Sequence, residues 1–508
     1  MGKQNESTYI TVDSPTSQHT SSEREKKLAV SNNDDQALEY AMEAEGMIID
    51  DETNKRILCK IDKYLLPIMC SLYAIQYMDK VSNSYASIMG IKTDLNMIGD
   101  QYSWTGTVFY LGYLAFVFPM SNTLQRFPVA KTVALFIGCW GIIMTCQAAS
   151  QNYASYLAMR LLLGIFESGI TPAFVILTSQ WYKREEQFLR SALWFSANGL
   201  GVLIGTSIAY GFALHQGSLS IKGWRALFIV IGGMTMLFSV IFYFYVPDLP
   251  SKAWFLTEEE KLLVVQRIRT NQQGFGNKKF KLYQLKEALE DPRTWCYFIY
   301  GITSEIPNGG ITNFNSILIS QDLKYGVLKA FLMNLPTGAV QILLNPLAAY
   351  FARYVRSRII VALAITFLVI VGCGMLAYAH EPGVKLAAIY IFGMQPVGMV
   401  CLLSCIASNT AGHTKKVVVN AIFLIGYCVG MAVGPQTFIA SQSPTYIGAK
   451  TAMLSSNCIS VLALVLILFL NIHANRKRDA SATTSESSEN TEFRDLTDFE
   501  NPNFRYAL

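Results

Sequence analysis

Twelve apolar runs, each long enough to cross a bilayer, leave few folds open to this chain. A spanning helix needs roughly 20 predominantly apolar residues. The runs lie near 64–88, 103–124, 130–150, 153–178, 191–214, 226–247, 294–319, 327–352, 358–379, 384–408, 417–440 and 447–473. In hydrocarbon every backbone polar group must be satisfied within the protein, so such runs are read as α-helices. The expected fold class is an all-α integral membrane protein with 12 transmembrane helices. Composition agrees where it discriminates. Charged residues make up 15% of the 508, against roughly 25% in soluble globular proteins, and mean hydropathy is +0.30. A soluble enzyme, a disordered scaffold and a coiled coil are excluded. A net charge of +5 lacks the basic excess of a nucleic-acid binder, so no nucleic-acid partner is expected.

A long hydrophilic segment divides the runs six and six. The expected organisation is a disordered N-terminal tail over 1–60, a six-helix bundle over 61–247, a middle loop over 248–293, a second six-helix bundle over 294–475 and a C-terminal tail over 476–508. The two halves share no evident sequence identity. Lys and Arg concentrate in the even-numbered connections, the flanks and the middle loop (Lys55, Arg56, Lys183, Arg190, Lys279, Lys415, Lys416, Arg476) and are sparse in the odd-numbered ones. Positive loops stay cytoplasmic, so both termini are expected in the cytoplasm. The first sixty residues lack the apolar core of a cleaved signal, which leaves targeting to the first spanning helix. In the middle loop, Thr257 and Glu260 have capping-box spacing ahead of KLLVVQRIRTNQQ, a predicted surface helix under the bundle.

Signatures of catalysis are missing. IGAKT (Ile447–Thr451) lacks the Gly-Lys pair and spacing of a phosphate-binding loop. NGLGVLIG (Asn198–Gly205) sits inside an apolar run, where its glycines favour close helix packing. There is no nucleophile elbow, no HExxH and no Cys/His cluster with metal-ligand spacing. No cofactor, metal or enzymatic activity is expected, and without a nucleotide domain any uphill transport must draw on a gradient.

Ionisable residues inside apolar helices cost roughly 2.5–3.5 kcal/mol on insertion scales and need a partner or a wet cavity. Asp79 and Lys80 lie in the first run, Arg160 and Glu167 in the fourth, and Glu305 in the seventh. Tyr73, Gln76, Lys80, Asn83 and Ser87 are spaced by threes and fours, so they form one polar helix face, predicted to line a cavity. Asp79 points about 100° away and is expected to meet a neighbouring helix. The alternative is that Asp79 and Lys80 sit near the boundary and snorkel. Arg160 and Glu167 are about 10 Å apart along one helix, too far to pair with each other. Arg160 is either part of the site or an interfacial anchor. Glu167 is either a proton carrier or the partner of a cation on another helix.

Pro307, Gly309 and Gly310 are expected to interrupt the seventh helix, a sequence pointer to a transport site. Glu305, Asn308, Thr312 and Asn315 would share a face if the register holds. In the fifth run Trp194, Asn198, Gly201 and Gly205 share a face, and Gly426, Gly430 and Gly434 in the eleventh predict close packing.

The motif RLLLGIFES (Arg160–Ser168) resembles the fourth-helix signature of the anion:cation symporter family of the major facilitator superfamily. VPDLPSKAWFLTEEEK (Val246–Lys261) resembles that family's sixth-helix exit. YAIQYMDK (Tyr73–Lys80), GDQYSW (Gly99–Trp104), IPNGGI (Ile306–Ile311), LPTGAV (Leu335–Val340) and GPQTFIA (Gly434–Ala440) resemble segments of a fungal member of the family. The resemblance implies uptake of small organic anions such as allantoate or ureidosuccinate with protons, through a multi-pass protein of the plasma membrane. Related fungal carriers of nicotinate, pantothenate or small peptides keep other cargo open, as does a nutrient sensor with little flux. One departure from the family pattern is LQRFPVAK (Leu124–Lys131), with Gln125 where the acidic loop motif has Asp.

Within that frame Lys80 is the best-placed cation for the substrate anion and Arg160 the second, with Gln76 and Asn83 beside Lys80. Asn198 and Asn308 would read amide or ureido groups by hydrogen bonding. Glu167 is the expected proton carrier, with Asp79 a second proton-coupling group. The expected partners are a small-molecule organic anion, protons and the lipid bilayer, around a monomer.

Overall fold

The computed structural model describes residues 49–218, 220–269, 281–352, 354–355, 357–481, 496–501 and 504–508. The first element is an amphipathic helix, Asp51–Tyr64, which buries Ile57 and Ile61 one turn apart. Asp50 caps it by accepting from the Thr53 N–H at 3.1 Å. The tail expected over 1–60 is therefore helical in its last ten positions, because that apolar pair finds a core to cover; the rest of it, residues 1–48, lies outside the described residues.

The helices that follow are α1 (Leu66–Ile88), α2 (Gln101–Arg126), α3 (Val129–Gln147), α4 (Tyr153–Trp181), α5 (Glu185–Leu214), α6 (Gly223–Tyr245), α7 (Pro292–Ile317), α8 (Val327–Ala352), α9 (Arg358–Tyr378), α10 (Pro382–Asn409), α11 (His413–Gln436) and α12 (Ile447–Ser481). Among the described residues ten helices are long and apolar enough to cross a membrane: α2–α6 and α8–α12. The other two, α1 and α7, have 23 and 26 residues but carry more polar side chains. Gln76, Asp79, Asn83 and Ser84 on α1, and Ser304, Glu305, Asn313 and Ser316 on α7, are buried. Buried inside the bundle, these polar groups need not meet lipid.

Backbone interruptions fall where the sequence did not point. α7 runs unbroken through Pro307, against the expected break. Gly309 and Gly310 serve contact instead: a Cβ at Gly309 would meet the Met431 backbone, and one at Gly310 the Phe438 ring. The helices that pause are α4 at Ser168–Gly169, α5 at Ala197 and α10 at Gly393–Met394. α4 and α10 hold the same place in the two halves.

α7 and α11 pack along most of their length. Gly426, Gly430 and Gly434 lie against the carbonyls of Phe298, Ile302 and Ile306, one turn apart on each helix. A Cβ at Gly430 would collide with the Ile302 oxygen, and backbone cannot give way as a side chain can. Gly430→Val is therefore expected to cost about 3 kcal/mol, the upper end for overpacking. Gel filtration of the tagged protein in detergent should show the folded peak largely lost. An unchanged peak would contradict the packing.

Both halves are closed by ion pairs of equal sequence separation. Arg190 binds Asp62 at 2.7 Å and Lys415 binds Glu287 at 2.8 Å at the end nearest the chain termini. Lys222 binds Asp94, and Lys450 binds Asp322 at 2.6 Å, at the far end. Each pair joins residues 128 apart in the chain. Burial alone would raise the Asp94 carboxyl, but the bonds from Lys222 and Trp224 outweigh it and hold it below its ordinary range.

Between the halves, the predicted capping box forms: Thr257 N–H donates to Glu260 at 3.0 Å and Glu260 N–H to Thr257 Oγ1 at 3.3 Å. It opens the helix Glu258–Arg269, which Lys60–Glu260 and Arg267–Glu186 tie to the first half. A second short helix, Leu282–Glu290, docks on the other half through Glu287. The C-terminal boundary also moves. α12 continues to Ser481, and the last residues fold back against the bundle instead of trailing as a free tail. Asp498 is fully buried and meets Lys415 at 2.8 Å, while the Arg358 N–H donates to the Leu508 carbonyl at 2.8 Å. The buried Lys415 gathers Asp498 together with Glu287 and Asp291. The side chain of Gln125 lies outside the described residues.

Candidate functional site

A cavity lies between the halves, walled chiefly by α1, α5, α7, α8, α10 and α11, with Tyr113 of α2 and Thr171 of α4. Its volume of about 100 Å³ compares with roughly 10–15 Å³ for one water, so it holds several waters or a small organic solute. Lys80, Gln76, Asn198 and Asn308, four of the predicted site residues, lie on its wall. So do Glu305, Thr312 and Asn315, which confirms that the α7 register continues through Pro307. Tyr77, Asn334, Gln341, Gln395 and Tyr427 complete much of the polar lining and were not singled out from sequence. Asn334, Gln341, Gln395 and Tyr427 come from helices whose apolar character hides single polar positions.

Lys80 is not a free cation. Its Nζ lies 3.0 Å from Glu167 Oε1, and Gln76 donates to the same oxygen at 2.9 Å. Gln76 and Lys80 stand one turn apart on α1, and Glu167 is the last residue of α4 before its interruption, so the three meet where α4 bends. Glu167 is wholly buried behind Lys80, whose side chain keeps 14% exposure toward the cavity. Glu167 thus meets a cation on another helix.

The remaining predicted residues lie off the cavity wall. Arg160 is buried inside the first half and is not an interfacial anchor. Its Nε donates to the Thr105 carbonyl at 3.1 Å and its guanidinium lies 5.1 Å from the Phe109 ring centre. Gly164 permits this approach of α4 to α2, since a Cβ there would strike the Phe109 carbonyl. Asp79 meets a neighbouring helix as expected, accepting from Trp140 Nε1 of α3, and it is buried, so it does not snorkel. Asn83 joins the halves: its Nδ2 donates to Thr105 at 3.1 Å and to Asn313 of α7 at 3.0 Å, and its Oδ1 accepts from Tyr156 at 2.8 Å. With Ser84–Ser316 at 3.0 Å and Tyr102 OH donating to the Asn313 carbonyl at 2.7 Å, it closes the far end above the cavity. Its amide is used up there, unlike the substrate contact expected of it.

Two halves thus enclose a polar cavity with Lys80 and Glu305 on its wall and Glu167 behind Lys80, the organisation of a transporter. The chain belongs to the Major Facilitator Superfamily, whose family model matches residues 69–435. It is a multi-pass membrane protein of that family. It is 44% identical to the allantoate permease of Saccharomyces cerevisiae, over 95% of this chain and 92% of the permease. It is also 44% identical to an uncharacterised transporter of Schizosaccharomyces pombe, over 93% of each chain. The fold is shared with a solved bacterial homologue of the human lysosomal transporter Spinster, inward-facing and occupied, at a TM-score of 0.56 and 14% identity. That match covers 80% of this chain and 96% of the other.

Proposed function

We propose that this protein imports a small organic anion of the allantoate or ureidosuccinate kind together with protons. In this account α1–α12 all span the plasma membrane, both termini are cytoplasmic, and the carrier works as a monomer. The observation that carries the mechanism is the Lys80–Glu167 pair at the cavity wall. A carboxylate substrate can take Lys80 only if Glu167 gives it up, and a proton on Glu167 removes the charge that holds it. Proton and anion therefore favour each other's binding, and by linkage each raises the other's affinity by the same factor. Once the site opens inward the proton leaves, Glu167 recaptures Lys80, and the substrate is expelled. Arg160 and Asp79, buried beside this pair, set its field without touching substrate. The bonds among Asn83, Ser84, Asn313 and Ser316 must break for the far end to open.

Growth on each candidate compound as sole nitrogen source, in yeast lacking its own carriers, tests the cargo. Allantoate or ureidosuccinate should support growth only when this chain is expressed. A second cargo is favoured by one relative, the thiamine pathway transporter THI73 of Saccharomyces cerevisiae, 34% identical over 90% of this chain. Growth rescue restricted to a vitamin or another carboxylate would replace the first cargo. A sensor would bind without supporting growth.

A further inference from the structure

Glu305 is a carboxylate on the cavity wall that the coupling scheme leaves unused. It is 2% exposed, lies on α7 across the cavity from α1, and makes no ion pair among the described residues. Among the described residues its hydrogen bond comes from Asn308, a turn further along, whose Nδ2 donates to Glu305 Oε2 at 2.7 Å. That bond turns the Asn308 amide so that its oxygen is left as an acceptor; Thr312 reaches it only at 3.5 Å. Glu305 and Asn308 thus place acceptor atoms side by side. Lys80, the cavity's cation, is already matched by Glu167. Burying a carboxylate with one hydrogen bond and no cation is costly, so a ligand that brings N–H donors to this wall is favoured.

We propose that Glu305, oriented by Asn308, is a specificity-determining residue that accepts hydrogen bonds from N–H groups of the substrate while Lys80 holds its carboxylate. The substrate class is a small carboxylic acid bearing ureido or amide N–H donors at its other end. A site built to bond such groups rejects an isostere lacking them more strongly than an apolar pocket could, because its buried acceptor is then left unpaired. This rests on the organic-anion carrier proposed above and adds the residue that reads the other half of the molecule.

Two probes of equal size test it: N-carbamoylglycine, which carries a ureido group, and 4-methylpentanoate, which has carbon in place of that group. Affinity for the purified full-length protein is read from ligand-dependent thermal stabilisation. The wild type should prefer N-carbamoylglycine by at least about tenfold, as expected for bonds to a charged acceptor. Glu305→Gln and Asn308→Ala should each shrink that preference by roughly tenfold, chiefly by weakening N-carbamoylglycine. Affinity for 4-methylpentanoate should hold or rise, which also shows that the variants are folded. An unchanged preference in both variants would overturn the assignment. A wild type that prefers neither probe would overturn it as well, even with anion transport intact. A wild type that binds no carboxylate at all would bring down the carrier reading itself.

Discussion

Lys80→Ala is expected to abolish uptake, by more than about a hundredfold, and to destabilise the protein as well. Glu167 is fully buried, and among the described residues its polar partners are Lys80 and the Gln76 amide. Removing one partner of a buried ion pair typically costs roughly 3–5 kcal/mol, since the other charge stays desolvated. Surface abundance should fall, and that fall alone would lower uptake. The double variant Lys80→Ala with Glu167→Gln separates the effects. It removes both charges and keeps the Gln76 contact, so abundance should recover, yet uptake should stay absent because no cation faces the substrate. Near-normal uptake by either variant, per molecule at the surface, would refute the role of Lys80.

Glu167→Gln alone should split exchange from accumulation. The amide keeps the volume of a protonated carboxyl but cannot release a proton. Lys80 is then permanently free for the anion, so affinity should hold or tighten and should lose its dependence on pH. Exchange between equal substrate concentrations on the two sides should continue. Accumulation should be lost: one proton coupled across a gradient of one pH unit supports up to about tenfold concentration of substrate, and the variant should only equilibrate. Loss of exchange and accumulation together, in a variant that remains folded, would mark Glu167 as a merely structural partner of Lys80. Accumulation that stays proton-driven would eliminate Glu167 as the carrier.

Much of this architecture was legible in the chain because lipid imposes a length and a composition on each helix. The stripe of Gln76 and Lys80 was legible for the same reason: polar residues at helical spacing in an apolar segment must face something other than lipid. Other features depend on what meets what across the fold. Asn83 lies on the same stripe, but its amide is consumed by Thr105, Asn313 and Tyr156 from three other helices. The pairing of Lys80 with Glu167 falls where α4 is interrupted at Ser168–Gly169, beside Pro172, which has no N–H to give the Ser168 carbonyl. At Pro307 the opposite holds, since the helix absorbs the proline and the glycines beside it answer to the close approach of α11. Docking of the C-terminal residues depends on Lys415 already facing Glu287 and Asp291, a cluster assembled from distant segments. One signal was present and unread: acid and base recur 128 residues apart at both ends of both halves, a trace of the internal repeat that bulk identity does not show.

Coupling through the Lys80–Glu167 pair can be tested most directly with purified protein in sealed vesicles, loaded with neutral buffer and diluted into mildly acidic buffer containing labelled allantoate at equal concentration on both sides. The account predicts net inward accumulation driven by the proton gradient alone, collapsed by a protonophore and absent in Glu167→Gln vesicles that still exchange label. Accumulation that ignores the proton gradient, or exchange without any gradient response in the wild type, would contradict it.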